Sequence, residues 1–293
     1  MSAVLGILHG ADYLVTHLLL GSFIFYEFVL PDGGVKATEY DIHRSRTFRR
    51  LASLALLTSA LWMVLSVADM GESWVPSEIW TGMSTTGFGH LWCIRIGVLL
   101  AFVITVKRLL TSRGGRGVLL LMVFSLPIFS VSTGHAAAKT DRVLMRESLV
   151  LLHSIGVAVW TGGLLQLYGW LGLKPKVESA SPEASRAVVT RFSHFAMVST
   201  GVIGFTGLGM AYLGGISLFH PFATTYGALV SGKIALFTLA LGGAAVNQFV
   251  HLRKWEPNRE RDFALAIRRE VRLEGILILF AFGVAGFLAR TSM

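Results

Sequence analysis

Long apolar blocks alternate with short polar segments along the whole chain. A helix needs about 20 mostly apolar residues to cross the hydrocarbon of a bilayer. Eight blocks come close to that length, and they cover residues 3–30, 48–69, 89–110, 117–135, 146–172, 191–214, 226–250 and 273–290. The pattern therefore predicts an all-α polytopic membrane protein with eight transmembrane helices.

Composition agrees with this interpretation and narrows the possible functions. Of the 293 residues, 53% are hydrophobic and 15% are charged, which is too apolar for a soluble protein of this length. The first block lacks a basic n-region and an A-x-A cleavage site, so we expect a retained helix rather than a removed signal peptide. The single cysteine, Cys93, excludes an internal disulfide, and the lack of a G-x-x-x-x-G-K-[ST] loop argues against nucleotide hydrolysis.

The basic residues alternate from loop to loop. They are concentrated in loops 31–50, 107–116, 173–191 and 251–272, whereas loops 70–88 and 215–225 contain none. The positive-inside rule places the four basic loops in the cytoplasm and both chain termini outside, with loop 136–146 as a mild exception. The net charge of +9 is thus a topology signal, and we expect no nucleic-acid partner.

Two segments of the chain match without gaps. "FGHLWCIRIG" (88–97) corresponds to "YGALVSGKIA" (226–235), which aligns Arg95 with Lys233 at an offset of 138. "ILH" at 7–9 corresponds to "LLH" at 151–153 at an offset of 144, which makes His9 and His153 equivalent. We therefore expect two tandem four-helix repeats in parallel orientation, residues 1–140 and 141–293.

The segment "HGADYLVTH" (9–17) carries a polar stripe within the first predicted helix. At 3.6 residues per turn, one face holds His9, Asp12, Tyr13, Thr16 and His17. Ionisable residues within a membrane are costly and face the protein interior or a water-filled pathway. We expect the stripe to line a polar path from the outer face, with Asp12 and Tyr13 orienting an imidazole.

Further candidate ligands lie toward the predicted outer side. Neutral imidazole binds copper, zinc and iron, and thioether sulfur favours Cu(I). The candidate metal ligands are His9, His17, His90, His135, His153, Met83 and Met145, with Met210 as a further outer-side methionine. Each methionine taken singly is better explained by packing than by metal binding.

Further residues are candidates for supporting roles. Trp160 follows His153 by seven residues and shares its helix face, so it could form a wall of a site, while Gly162 and Gly163 indicate close helix packing. Lys233 and Arg95 are expected to snorkel or to pair with an acid such as Asp12. We expect Glu274, at the predicted cytoplasmic start of the last helix, to pair with a neighbouring arginine.

The motifs "STGHAAA", "LLHSIGVAVWTGGLL", "RFS", "TTYGALVSGKIALFTLALGGAAVNQF" and "RLEGILIL" resemble the copper resistance protein D family of bacterial inner-membrane proteins. The resemblance implies eight helices in the inner membrane, periplasmic termini, copper uptake, and a separate periplasmic copper-binding protein as donor. The residues that match the family motifs directly are His135, His153, Trp160, Gly163, Tyr226, Lys233 and Asn247.

Two functions remain open from the sequence, with a sensor or assembly factor as a third. In a copper permease, the ion would be captured by His90, His135 or His220 and passed to His9 and His153, with His17 as the next station. The alternative is a b-type haem protein for electron transfer or metal reduction, with axial ligands drawn from His9, His17 and His153.

Overall fold

The computed structural model describes residues 2–30, 37–133, 142–173, 182–215, 222, 224–246 and 260–288. Within this part of the chain all regular structure is helical. The nine helices are α1 (Ser2–Ile24), α2 (Ala37–Met70), α3 (Pro76–Thr85), α4 (Gly87–Leu109), α5 (Arg113–Ser132), α6 (Val143–Leu173), α7 (Pro182–Leu213), α8 (Thr225–Val246) and α9 (Glu260–Leu288). A π-helical turn, Phe25–Val29, continues α1.

All of these helices except α3 are long and apolar enough to cross a membrane, which confirms the predicted class and the eight spans. The last span begins at Phe263 rather than at residue 273, because the charged residues that interrupt the apolar run do not interrupt the helix. The short helix α3 lies where the sequence predicts a loop. It begins with Pro76, whose fixed φ suits the first helical position.

The central helices of the bundle are α1 and α6. Helix α1 packs against α2, α5, α6 and α9, and α6 packs against α1, α5, α7 and α9. The two cross closely at Gly21 and Gly162, where a Cβ on Gly21 would overlap the carbonyl oxygen of Ala158. A buried hydrogen bond of 2.8 Å from Gln166 to Ser22 adds to this contact. The sequence prediction of close packing at Gly162 is therefore confirmed.

The outer helices are packed less evenly. Helix α4 packs against both α2 and α5, whereas α8 packs against α9 and, within the described residues, has no comparable interface with α7. A cleft therefore lies between α7 and α8, backed by α6 and α9. We call the end of the bundle where α1 begins the outer end, after the predicted topology.

The inner end of the N-terminal half is held by charges. Glu27, in the π-helical turn, forms ion pairs with Arg44 of α2 and, at 3.5 Å, with Arg116 of α5. These contacts join α1, α2 and α5 at the predicted cytoplasmic end.

Candidate functional site

An ion pair between Asp12 and Arg95 lies inside the N-terminal half. An Oδ of Asp12 and an Nη of Arg95 are 2.9 Å apart, and both side chains are completely buried. Asp12 also accepts hydrogen bonds from Ser59 (2.6 Å) and Thr58 (3.1 Å) of α2. The carboxylate thus has three hydrogen-bond donors, and the positive charge of Arg95 compensates its negative charge in the protein interior.

Arg95 is surrounded by acceptors from the other helices. Its guanidinium donates to Thr16 (2.8 Å), to the carbonyl oxygen of Leu126 (3.0 Å) and to the hydroxyl of Ser130. It also lies 4.7 Å from the centre of the Trp92 ring. Because a buried charge is costly unless it is compensated, we interpret this network as a structural lock between α1, α2, α4 and α5. Two members of the polar stripe, Asp12 and Thr16, belong to the lock.

His9 lies in aromatic surroundings near the outer end. Its ring centre is 4.3 Å from the ring centres of both Tyr13 and Trp62. Trp62 belongs to a small buried cluster on which Met83 also packs. His9 thus contacts α2 of the N-terminal half, whereas His153 contacts α7.

His17 faces the C-terminal half. Its Nδ1 is 2.5 Å from the carbonyl oxygen of Tyr13, and its ring lies edge-on to Phe282 of α9, 5.4 Å between centres. A carbonyl oxygen can only accept, so Nδ1 carries the proton. Nε2 of the neutral ring therefore has a free lone pair.

His153 is held in the same way by a side chain of α7. Its Nδ1 lies 3.1 Å from the hydroxyl of Thr206, and that hydroxyl donates its own proton to the carbonyl oxygen of Val202 at 2.6 Å. Thr206 must therefore accept from Nδ1–H, which leaves the lone pair on Nε2 of His153. Metal-binding histidines have this arrangement, because an acceptor on one nitrogen orients the other.

His17 and His153 lie on the two central helices, α1 and α6. His153 and Lys233 line a cavity of about 380 Å³ between α6, α7, α8 and α9. Phe282, which contacts His17, lines the same cavity. Two sequence candidates, from α6 and α8, therefore line one cavity, and a third, from α1, contacts a residue of its wall.

A second, smaller cavity of about 150 Å³ lies farther from the outer end in the same cleft. Trp160 lines both cavities and is almost completely buried. Glu274 lines the smaller cavity and is 2% exposed. The predicted position of Glu274 at the start of the last helix is wrong, because α9 begins at Glu260 and carries Glu274 into the membrane-spanning region.

The remaining candidates lie away from the two imidazoles or outside the described residues. His90 is exposed at the start of α4, where its Nε2 is 2.6 Å from the carbonyl oxygen of Ser84. Met145 is half exposed on α6, and Cys93 is exposed. His135 falls outside the described residues, as do His220 and Asn247. Among the described residues, no three His, Cys, Asp or Glu side chains gather as a metal-binding group.

Sequence reasoning missed Thr206 as a partner of His153 and Glu274 as a lining residue of the cleft. Thr206 falls within an apolar block, and a lone threonine there commonly bonds its own helix backbone, as Thr206 also does. The buried acid on α9 was the stronger signal, since ionisable residues in membrane spans are rare.

Two protein families match this chain. The family described as "copper resistance protein D-like, N-terminal domain" matches residues 1–143, and the family described as "copper resistance protein D" matches residues 186–288. The stretch that contains His153 and Trp160 lies between the two matched ranges. No solved structure matches the chain.

Two characterised proteins are similar over most of the chain. "Copper transport protein CutJ" of Bacillus subtilis (strain 168) is 27% identical over 291 residues, which are 93% of this chain and 50% of that protein. The chain thus spans about half the length of this relative. "Copper resistance protein D" of Pseudomonas syringae pv. tomato is 26% identical over 262 residues, 84% of each chain. The two family matches and these relatives agree with the motifs and the eight-span fold, and the chain belongs to the copper resistance protein D family.

Proposed function

We propose that this protein carries copper across the bacterial inner membrane from the periplasmic side, and that His17 and His153 bind the ion as Cu(I). The observation that supports this most directly is the matched state of the two imidazoles. Each has Nδ1 hydrogen-bonded to an acceptor and a lone pair on Nε2, and Phe282 links them, since it contacts His17 and lines the cavity that His153 lines.

Two imidazoles suit the chemistry of this substrate. Cu(I) is stable with two nitrogen ligands in a linear arrangement, whereas Zn²⁺ sites typically take four ligands. A site with few ligands also releases its ion readily, which transport requires. The absence of a three-residue metal group among the described residues is compatible with such a site.

The path runs through the cleft of the C-terminal half. The ion leaves the two histidines through the larger cavity, passes Trp160, and reaches the smaller cavity with Glu274. A carboxylate there attracts a cation on its way to the cytoplasmic side. Met210, which lines the larger cavity, offers a thioether to the same ion.

The outer-side residues capture the ion before it enters. His90, His135, Met83, Met145 and His9 form this group, and a separate periplasmic copper-binding protein delivers the metal. Without a nucleotide-binding motif, transport follows the copper gradient, the membrane potential or proton coupling.

The two halves, residues 1–140 and 141–293, are tandem copies in parallel orientation with periplasmic termini. In this scheme α1 and α6 are equivalent central helices. The contact of α1 with α2 corresponds to that of α6 with α7, and the contact of α1 with α5 corresponds to that of α6 with α9. Among the described residues, α2 and α4 pack together whereas their counterparts α7 and α8 leave a cleft, so the path runs through the second copy.

The test uses purified protein in liposomes that enclose a fluorescent Cu(I) chelator, with Cu(I) supplied outside. We expect wild-type vesicles to fill, and His17→Ala and His153→Ala to abolish filling and bound copper without unfolding the protein. His43→Ala and His194→Ala, at exposed positions, are the matched controls. Wild-type vesicles that fill no faster than protein-free vesicles would overturn the proposal.

An absorption spectrum of the same sample decides the haem alternative, in which His9, His17 and His153 supply axial ligands. A Soret band that disappears in His17→Ala or His153→Ala would favour haem over copper transport. We expect bound copper and no Soret band, because both relatives are named for copper.

A further inference from the structure

Lys233 is a cation inside the membrane-spanning region, and no ion pair with it is present in the part of the chain that the structure describes. It lies about two turns below the outer end of α8 and lines the larger cavity. Among the described residues, none forms an ion pair or hydrogen bond with its ammonium group. An ammonium group in a low-dielectric site needs a partner, because the free energy of leaving it unpaired is large.

Arg95 aligns with Lys233 in the proposed sequence repeat, and it shows how the N-terminal half compensates a buried positive charge. Its charge is neutralised by Asp12 at 2.9 Å. At the offset that equates His9 with His153, the counterpart of Asp12 is Gly156. A Cβ there would lie 3.2 Å from the carbonyl oxygen of Ser199, so this crossing of α6 and α7 favours glycine. The C-terminal half keeps the cation and lacks the acid.

The cavity beside Lys233 can accept an external partner. Its volume of about 380 Å³ falls within the range of small-molecule sites, about 300–1,000 Å³. Apart from Lys233 and His153 its walls are mostly apolar, with Leu208, Phe237 and Leu277 among them. Within the described residues, α7 and α8 do not pack together as α2 and α4 do, which leaves a side of the cavity for a chain from the bilayer to enter.

We propose that this cavity binds an amphipathic anion from the bilayer, with its acidic head on Lys233 and its apolar chain between α7 and α8. The acidic head neutralises the positive charge of Lys233, as the carboxylate of Asp12 neutralises that of Arg95. A fatty acid and an anionic phospholipid share this chemistry. The bound anion also offsets the repulsion between Lys233 and a cation at the nearby histidines.

The probe is spin-labelled stearic acid in phosphatidylcholine vesicles that contain the full chain and no copper. Electron paramagnetic resonance separates motionally restricted probe from free probe. We expect a restricted population with the wild type and with Lys233→Arg. In Lys233→Met its affinity should fall about tenfold or more, as for a lost charge-assisted hydrogen bond. Lys107→Met removes an exposed cation of α4 and should change nothing.

Competition identifies the chemistry and protects the test against a variant that fails to fold. With the wild type alone, unlabelled stearate and phosphatidylglycerol should reduce the restricted fraction, while the methyl ester of the labelled acid should show only the smaller restricted fraction of lipid beside the exposed apolar helix faces. Displacement by acetate as readily as by stearate would overturn the amphipathic assignment. Equal affinities of folded Lys233→Met and the wild type, or a wild-type restricted fraction no larger than that of the methyl ester, would overturn the site.

This proposal can fail separately from copper transport, because binding is measured without metal. Vesicles that transport Cu(I) but hold no restricted probe would contradict only the anion site. Restricted probe in vesicles that do not transport would contradict only the proposed transport.

Discussion

The carboxylate of Asp12 and the guanidinium of Arg95 are 2.9 Å apart, and neither side chain is exposed. They come from α1 and α4, and the surrounding donors and acceptors come from α2 and α5. One ion pair thus ties four of the spans together. Its removal should affect folding rather than copper chemistry.

We predict that Arg95→Met destabilises the protein by about 3–5 kcal/mol, because Asp12 would remain as an uncompensated buried charge. The free energy of unfolding in detergent measures this effect. The double variant Asp12→Leu, Arg95→Met should recover much of the loss, and Lys107→Met should behave as wild type. An Arg95→Met protein as stable as wild type would contradict the structural role of the ion pair.

The hydroxyl of Thr206 orients His153, so its removal should weaken copper binding without removing a ligand. We predict that Thr206→Val lowers the affinity for Cu(I) about 10- to 100-fold, as expected when the acceptor behind a metal-binding histidine is lost. Titration with a competing Cu(I) chelator measures the change. The control is Thr105→Val, whose hydroxyl bonds only to the backbone of its own helix. Equal affinities in the two variants would show that the orientation of His153 is unimportant.

The close crossing of α1 and α6 depends on Gly21. A methyl group at this position would overlap the carbonyl oxygen of Ala158, whereas a Cβ on Gly97 meets nothing within 4 Å. Gly21→Ala should therefore lower stability by about 1–3 kcal/mol or more. Gly97→Ala should be neutral or stabilise by up to about 1 kcal/mol, since alanine is the better helix former. Thermal unfolding of both variants is the measurement, and a stable Gly21→Ala protein would contradict the packing.

Trp160 lines both cavities, so we expect a smaller side chain at this position to join them. In a Cys93→Ser background, a cysteine in place of Ala196 of the smaller cavity reports access from outside. We predict slow reaction with a small charged thiol reagent, and a faster reaction once Trp160→Ala is added. The control is a cysteine in place of Thr105, in the N-terminal half, whose reactivity should not depend on residue 160. Equal rates for Ala196→Cys with and without the tryptophan would contradict its role as a barrier.

Glu274 lies beyond Trp160 and away from the two imidazoles. We predict that Glu274→Gln keeps the copper stoichiometry of the wild type but slows release into vesicles, because the attraction for the cation in the smaller cavity is lost. Binding and uptake measured on the same preparation separate the two effects. Glu270→Gln, one turn earlier on α9, is the control. Loss of bound copper in Glu274→Gln would instead place this acid at the primary site.

Much of the architecture could be predicted from sequence because it follows from local physics. The length of an apolar block sets the number of spans, and glycines such as Gly162 indicate where helices approach. The start of α9 was predicted too late, because its charged first turns resemble a loop by hydropathy. Once the helix continues through them, Glu274 moves from an end to the interior.

The candidate site shows the same division. The sequence identified His17, His153 and Lys233 one by one, because an ionisable residue in an apolar block is unusual wherever it occurs. It treated the stripe from His9 to His17 as one lining, since helical spacing places these residues on one face. In the structure Asp12 turns to Arg95, His9 to Trp62 and His17 to Phe282. A helical face covers a wide arc, and three neighbouring helices share it.

By itself, therefore, the sequence determined the eight spans, the family and the types of residue available for copper. Those depend on composition and on spacing along one helix. Only the tertiary structure decided that Arg95 has an acid and Lys233 has none among the described residues, and that the cleft lies between α7 and α8. These features depend on side chains from helices far apart in sequence, whose distances are set by how the bundle packs.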